Sequence, residues 1–276
     1  MKRKTPASVF AGHAALLLLS CVALLPFAWM VGTSLKPEAQ VFAPGLEIIP
    51  RTFVWQNYPV ALAYIPFGLY ALNTLMIASA SALAVVISSS LTAYSFARLR
   101  WPGRDVVFFV LLATLMLPHQ VTMLPVFVIF KKLGWIGGFR PLIVPAMFGS
   151  AFFIFLLRQF FMTIPRELSD AAKIDGASEF GIWRMVMLPL SKPALTTVAL
   201  FTFMGAWNDF LGPLMYLNDD RTYTLSLGLQ QFVTQHGAQW NLLMAASVVM
   251  TAPIILLWFL GQKTFVQGVT LTGVKG

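Results

Sequence analysis

Six long apolar runs divide this chain, at residues 13–33, 70–95, 105–129, 141–162, 193–217 and 240–262, with short polar stretches between them. Each is close to the roughly 20 residues a helix needs to cross the hydrocarbon core of a bilayer. None shows the alternating segments of about ten residues that mark a membrane β-barrel. Helices are the remaining way to satisfy backbone polar groups in lipid. The pattern therefore predicts an all-α integral membrane protein with six transmembrane helices, forming a single polytopic membrane domain over residues 1–276. No internal repeat or separate soluble domain is visible.

Interruptions inside these runs are informative. The second run opens with Tyr70-Ala-Leu-Asn-Thr and carries Ala78 to Ala82 and Ser88 to Ser90, small residues that let membrane helices approach closely. The third holds Pro118 and Pro125, with His119, Gln120 and Thr122 nearby. Proline removes a helical hydrogen bond and bends or ends the helix, and broken helices at membrane depth line cavities or sit inside protein. The fifth contains Trp207-Asn208-Asp209-Phe210. A charge at mid-membrane costs about 2.5–3.5 kcal/mol, so Asp209 must face a polar cavity, a partner group or the outer boundary. Asn208 and Asp209 are candidates for the translocation pathway or its gate, with Asn73 and Gln120 behind them. Helix–helix hydrogen bonding explains Asn208 and Asp209 equally well. Residues 34–69, with Pro37, Pro44, Pro50, Pro59 and Pro66, form the longest external loop.

Composition agrees with the pattern. The chain is 58% hydrophobic and 11% charged, against about 25% charged residues in soluble domains. Its net charge of +9 resides in short loops beside apolar runs, where basic residues set topology; no nucleic-acid partner is expected. With the N-terminus inside, 13 of the 19 Lys and Arg residues are cytoplasmic, which places both termini, the 163–192 segment and a 263–276 tail in the cytoplasm. Lys131-Lys132 is the exception to this bias. Lys2-Arg3-Lys4 before an apolar run suggests a signal peptide, and Leu18-Leu19-Ser20-Cys21 faintly resembles a lipoprotein cleavage site. The run continues to Val31, however, so it is read as an uncleaved first helix. Cys21 has no intrachain partner. His13, His119 and His236 lack metal-ligand spacing, and no Gly-x-x-x-x-Gly-Lys-Ser/Thr phosphate loop or nucleophile–base–acid set occurs. The chain is not expected to be an enzyme or to bind a metal.

The polar stretch from Arg166 to Pro189 is longer and more ordered than a turn requires. Pro165 is placed to open a helix. Ala171 and Ala172 leave room for a partner surface. Asp175-Gly176 is a turn signal at which glycine can take the left-handed conformation that ends a helix. Ser178 can cap a second helix, with Glu179 near its positive end. Phe180, Trp183, Val186 and Met187 then form an apolar stripe, and Leu188-Pro189 stops it.

This segment resembles the cytoplasmic signature of the membrane-spanning permeases of binding-protein-dependent ABC importers. That signature runs Glu-Ala-Ala, two residues, Asp-Gly-Ala, then about ten residues ending in Leu-Pro. Here the matching residues are Asp170-Ala171-Ala172, Asp175-Gly176-Ala177 and Leu188-Pro189. Asp170 stands for the usual Glu, with a shorter reach, and Trp183 for the usual Phe. The resemblance implies the type I importer permease (MetI-like) core, with these residues in a coupling helix seated in a groove of an ATPase subunit. The glycine-rich tail is similar to that of the smaller permease subunit of maltose-type importers, which implies that Gln267, Gly268 and Gly273 reach the ATPase interface. It further implies a second permease subunit of a different sequence, an ATPase dimer holding ATP and Mg, an extracytoplasmic solute-binding protein, and a sugar or sugar-like substrate. The site would be a bacterial or archaeal inner (cytoplasmic) membrane and its lipid. An ion-gradient-driven transporter and a non-transporting docking subunit are the alternatives.

Overall fold

The computed structural model describes residues 6–43, 47–234 and 237–273, with side chains at 9–10, 12–43, 47–233 and 237–262. Its principal helices are α1 (Pro6–Ser34), α2 (Asn57–Tyr64), α3 (Phe67–Arg98), α4 (Arg104–Ala113), α5 (His119–Lys132) and α6 (Ala151–Thr163). They continue as α7 (Arg166–Ile174), α8 (Glu179–Leu190), α9 (Lys192–Trp207), α10 (Leu211–Tyr216) and α11 (Trp240–Gly273). One antiparallel hairpin, pairing Val233 with Ala238 and Thr234 with Gly237, is the sheet structure among the described residues. The all-α membrane fold expected from the apolar runs is the fold observed.

Among the described residues, four helical stretches are long and apolar enough to cross a membrane: Gly12–Ser34, Phe67–Arg98, Arg140–Thr163 and Trp240–Gln262. Two bent pairs bring the number to six if each counts as one span. Arg104–Met116 meets His119–Lys132 at 101°, and Glu179–Leu190 meets Lys192–Trp207 at 83°. The first break falls at Leu117, which is extended at φ −81°, ψ 116°. The cause is the following Pro118, whose ring disfavours helical backbone at the residue before it. Pro125, by contrast, lies inside α5.

The described residues group into two compact units. One comprises residues up to 67 together with 228–252. In it, Asn57 Nδ2 donates to the carbonyls of Ser34 and Lys36, both at 2.8 Å, and Asn241 donates to Asn57 Oδ1 at 3.3 Å. The first bond occupies a carbonyl left over at the C-terminus of α1, and the second the Lys36 carbonyl just beyond it. Lys36 is buried, with its ammonium 4.7 Å from the Trp29 ring centroid.

The other unit comprises 68–227 and 253 onward. Its core gathers the second half of α3 (Ala93, Tyr94, Phe96, Ala97), Phe108, the inner face of α6 (Ile154, Leu157, Phe160, Phe161), Ile182, Trp183 and Met187 of α8, and Ala194 and Val198 of α9. The small residues of α3 serve a specific purpose. Ser81 and Ser88 donate to the carbonyls of Leu142 and Ala146, at 3.3 and 3.1 Å, and Ser89 accepts from the Ser150 amide at 3.2 Å. Each serine thus satisfies backbone of the irregular 140–150 stretch, which a regular helix would have satisfied itself.

Candidate functional site: the 166–190 segment and the Asp209 cavity

Helix α7 begins directly after extended Pro165 and ends in a Schellman arrangement. The Ala177 amide donates to the Ala172 carbonyl at 2.9 Å and the Gly176 amide to Lys173 at 3.0 Å. Gly176 takes φ 83°, a conformation costly for residues with a Cβ. Ser178 then caps α8, its Oγ accepting from the Gly181 amide at 3.2 Å. Inside α8 the stretch Trp183–Met187 is a π-helical turn. Such turns hold one extra residue per turn and occur mostly as single insertions within α-helices.

The segment has two faces. Ile182, Trp183 and Met187 are buried, and Ala172, Ala177 and Leu188 pack against the same core. Asp170, Ala171, Asp175, Gly176 and Pro189 are exposed. The exposed side also carries Ile174, Phe180 and Met185, at 87%, 59% and 64% exposure. Three apolar side chains are thus left open on a polar, charged segment.

A polar lock ties the segment to α3. Glu179 accepts from Lys173 Nζ at 2.7 Å on one oxygen and from the Tyr94 hydroxyl at 2.6 Å on the other. Lys173 first, and Tyr94 second, hold the Glu179 carboxyl below its ordinary range, against a smaller opposing effect of burial. Arg98 Nη2 donates to the carbonyls of Phe161 and Ile164, at 2.7 and 2.6 Å, closing the C-terminus of α6 just before the segment starts.

A separate cavity of about 480 Å³ lies where α5, the 141–145 stretch and α10 meet. His119, Thr122, Asp209 and Tyr216 supply its polar lining, and Met123, Phe130 and Leu142 are among its apolar walls. Asp209 Oδ1 accepts from the Gly212 amide at 3.1 Å, capping α10, and its carbonyl accepts from the Ser226 hydroxyl. A Cβ at position 212 would sit 2.3 Å from Asp209 Oδ2 and 2.9 Å from Leu142 Cδ2, so a larger residue there would require both side-chain ends to move.

A family model described as the binding-protein-dependent transport system inner membrane component matches residues 84–271. The chain belongs to this family. It is 32% identical to an arabinooligosaccharides transport system permease protein of Halalkalibacterium halodurans over 282 residues, covering 100% of both chains. It is 33% identical to an sn-glycerol-3-phosphate transport system permease protein of Rhizobium meliloti over 281 residues, covering 99% of each. The fold matches that of a bacterial ABC transporter involved in the import of the acidic polysaccharide alginate, with a TM-score of 0.82 at 23% identity, over 96% of this chain and 100% of that one. The family is one of transport permeases, not enzymes, and the ion-gradient and non-transporting alternatives find no support in it.

Within this permease the eight candidate coupling residues all lie on the 166–190 segment and are split between its two faces. The four pathway candidates are not brought together. Asp209 lines the cavity. Asn208 is exposed and its side chain folds back on the Met204 carbonyl at 2.9 Å. Asn73 Nδ2 bridges the carbonyls of Arg221 and Tyr223 at 2.9 and 3.0 Å. Gln120 is exposed and outside the cavity lining. The backbone of α11 continues to Gly273, but the side chain of Gln267 and the surroundings of Gly268 and Gly273 lie outside the described residues, as does His236. Sequence reasoning placed His119 and Thr122 beside a broken helix without naming them as site residues, and passed over Tyr216. The signal available for the first two was their place just after Pro118. Among the described residues no group of three or more His, Cys, Asp or Glu side chains is arranged to hold a metal.

Proposed function

We propose that this chain is one membrane-spanning subunit of an ATP-driven importer, carrying a sugar or sugar-like solute inward across the inner membrane, with both termini cytoplasmic. Segment 166–190 seats in a groove of a partner ATPase, and ATP and Mg are bound by that ATPase dimer, since this sequence has no phosphate loop. A second permease subunit completes the pathway, and an extracytoplasmic binding protein delivers the solute. One observation carries this reading. The segment is rooted in the core on one face by Ile182, Trp183 and Met187 and turns Ala171, Ile174 and Phe180 outward on the other. Burying an exposed Ile or Phe side chain contributes about 1.5–3 kcal/mol, enough for a few such residues to hold a docked partner. The carbohydrate class is supported by the relatives, named for arabinooligosaccharides and a polyol phosphate.

The direct test is Ala171→Leu. Position 171 is exposed, so the larger side chain leaves the fold intact and obstructs only a docked partner. Co-purification with the ATPase and ATP-driven uptake in vesicles should both fall. Unchanged uptake in this variant, or uptake in vesicles lacking the ATPase, would contradict the reading.

A further inference from the structure

Between the end of α3 and helix α7 lies a pocket of about 600 Å³ whose lining includes Arg98, Arg100, Arg166, Lys173, Ser169 and Asp170. An adjoining pocket of about 460 Å³ shares Arg100, Trp101 and Arg166 and extends to Arg104 and Val106. The charges do not cancel. Lys173 is matched by Glu179 and Arg104 by Asp105. Three arginines then face the single carboxylate of Asp170 in the lining.

Two buried groups point to a missing acceptor. Ser169, a lining residue, is only 6% exposed, and its buried hydroxyl has no hydrogen-bond partner. Arg98 commits Nη2 to two carbonyls, while its buried Nε–H has none. Buried donors in native proteins are nearly always satisfied. A phosphate offers several strong acceptor oxygens and is the preferred partner of clustered arginines.

We propose that this paired pocket holds the headgroup phosphate of an anionic phospholipid. Free phosphate shares the chemistry, but the surroundings favour lipid. Helix α3, at 32 residues, is about 48 Å long against a hydrocarbon core of about 30 Å. Its Arg98 end, followed by Arg100 and Trp101, therefore reaches headgroup level, where aromatic and basic residues concentrate. At Val106 the pocket runs onto the outer face of α4, where Val106, Phe109 and Val110 are 69%, 72% and 57% exposed. Polar cradle and apolar wall match a headgroup with its acyl chains. Basic pockets between membrane helices on the cytoplasmic side bind such headgroups.

The test uses the assembled transporter equilibrated with vesicles of phosphatidylglycerol and phosphatidylcholine in equal amounts, with retained lipid read by native mass spectrometry. Preferential retention of phosphatidylglycerol is expected. It should drop about tenfold in the double variant R100Q/R166Q and about threefold in Ser169→Ala, in line with the loss of charged and neutral hydrogen bonds. Ser169→Ala should melt no lower than the parent, since it removes an unpartnered hydroxyl. Equal retention of the two lipids, or retention unchanged in both variants, overturns the proposal. So does displacement of the lipid by an equal concentration of inorganic phosphate, which assigns the site to a free anion. So does loss of the ATPase from R100Q/R166Q with lipid retained, which gives the arginines to an acidic protein surface. Lipid retention is read without transport, so failure of ATP-driven uptake with retention intact counts against the coupling reading and not against this one.

Discussion

The 166–190 segment and the Asp209 cavity are both places where a helix stops and polar chemistry begins, yet they are built in opposite ways. The segment assembles from neighbours. Its Schellman turn joins residues five apart (Ala172 and Ala177), its cap joins residues three apart (Ser178 and Gly181), and its ion pair joins Lys173 to Glu179. The cavity assembles from strangers. His119 and Thr122 meet Asp209 and Tyr216 across some 90 positions of chain. Local construction gives a unit that moves as one piece when pushed. Distant construction gives a space whose shape depends on how several helices are placed.

The sharpest way to separate the two is Gly176→Val. A β-branched residue held at φ 83° costs about 1–3 kcal/mol, and no neighbour obstructs the new side chain, so the strain is purely backbone. Uptake should fall about tenfold or more, with membrane insertion and the cavity untouched; normal uptake would show that the turn does not set the docking geometry. Next, Asn73→Ala should leave docking alone and lower the thermal midpoint. It orphans two carbonyls, those of Arg221 and Tyr223, at about 1–3 kcal/mol. A loss of uptake with no loss of stability would instead place Asn73 on the solute's path.

Asp209 is dissected by a pair. Asp209→Ala removes the cap on α10, worth about 1 kcal/mol, whereas Asp209→Asn keeps an oxygen for the Gly212 amide. If the carboxylate charge serves transport, both variants lose uptake. If it only caps the helix, the Asn variant transports normally. The smallest effect is expected of Glu179→Gln. The Glu179 carboxyl is held below its ordinary value of 4.5, so the lock contributes stability that is fully present above that value. This stability is lost as pH falls through the lower folded-state value. Both partners are about half exposed, so solvent screening keeps the contribution to about 1 kcal/mol or less. Thermal melts of parent and variant should converge on acidification; a constant gap would show that the lock is not electrostatic.

The same contrast explains what could be read from sequence. Asp175-Gly176 and Ser178 announced their turn and cap because both depend on residues within a few positions. Pro118 and Pro125 announced a broken span, but the local spacing did not say that the chain breaks before Pro118 and keeps Pro125 within a helix. The Tyr94 to Glu179 bond spans 85 positions and has no local signature. Nor has the π turn at Trp183–Met187, whose two end residues are both buried. Asn73 looked like a pathway residue because a buried amide in an apolar helix demands partners. That the partners are the carbonyls of Arg221 and Tyr223 is a fact of tertiary placement.

The 83° junction between α8 and α9 makes the two helices a bell crank. Ser191 is the pivot, fully buried, with its amide bonded to Met187 at 3.0 Å and its carbonyl taken by Leu195 at 2.9 Å. At 1.5 Å per residue the arms are about 18 and 24 Å long. Were the two helices to turn as one rigid piece about Ser191, a displacement across α8 would emerge at Trp207 turned through nearly a right angle and enlarged by about a third: the crank would change the direction of a stroke far more than its length.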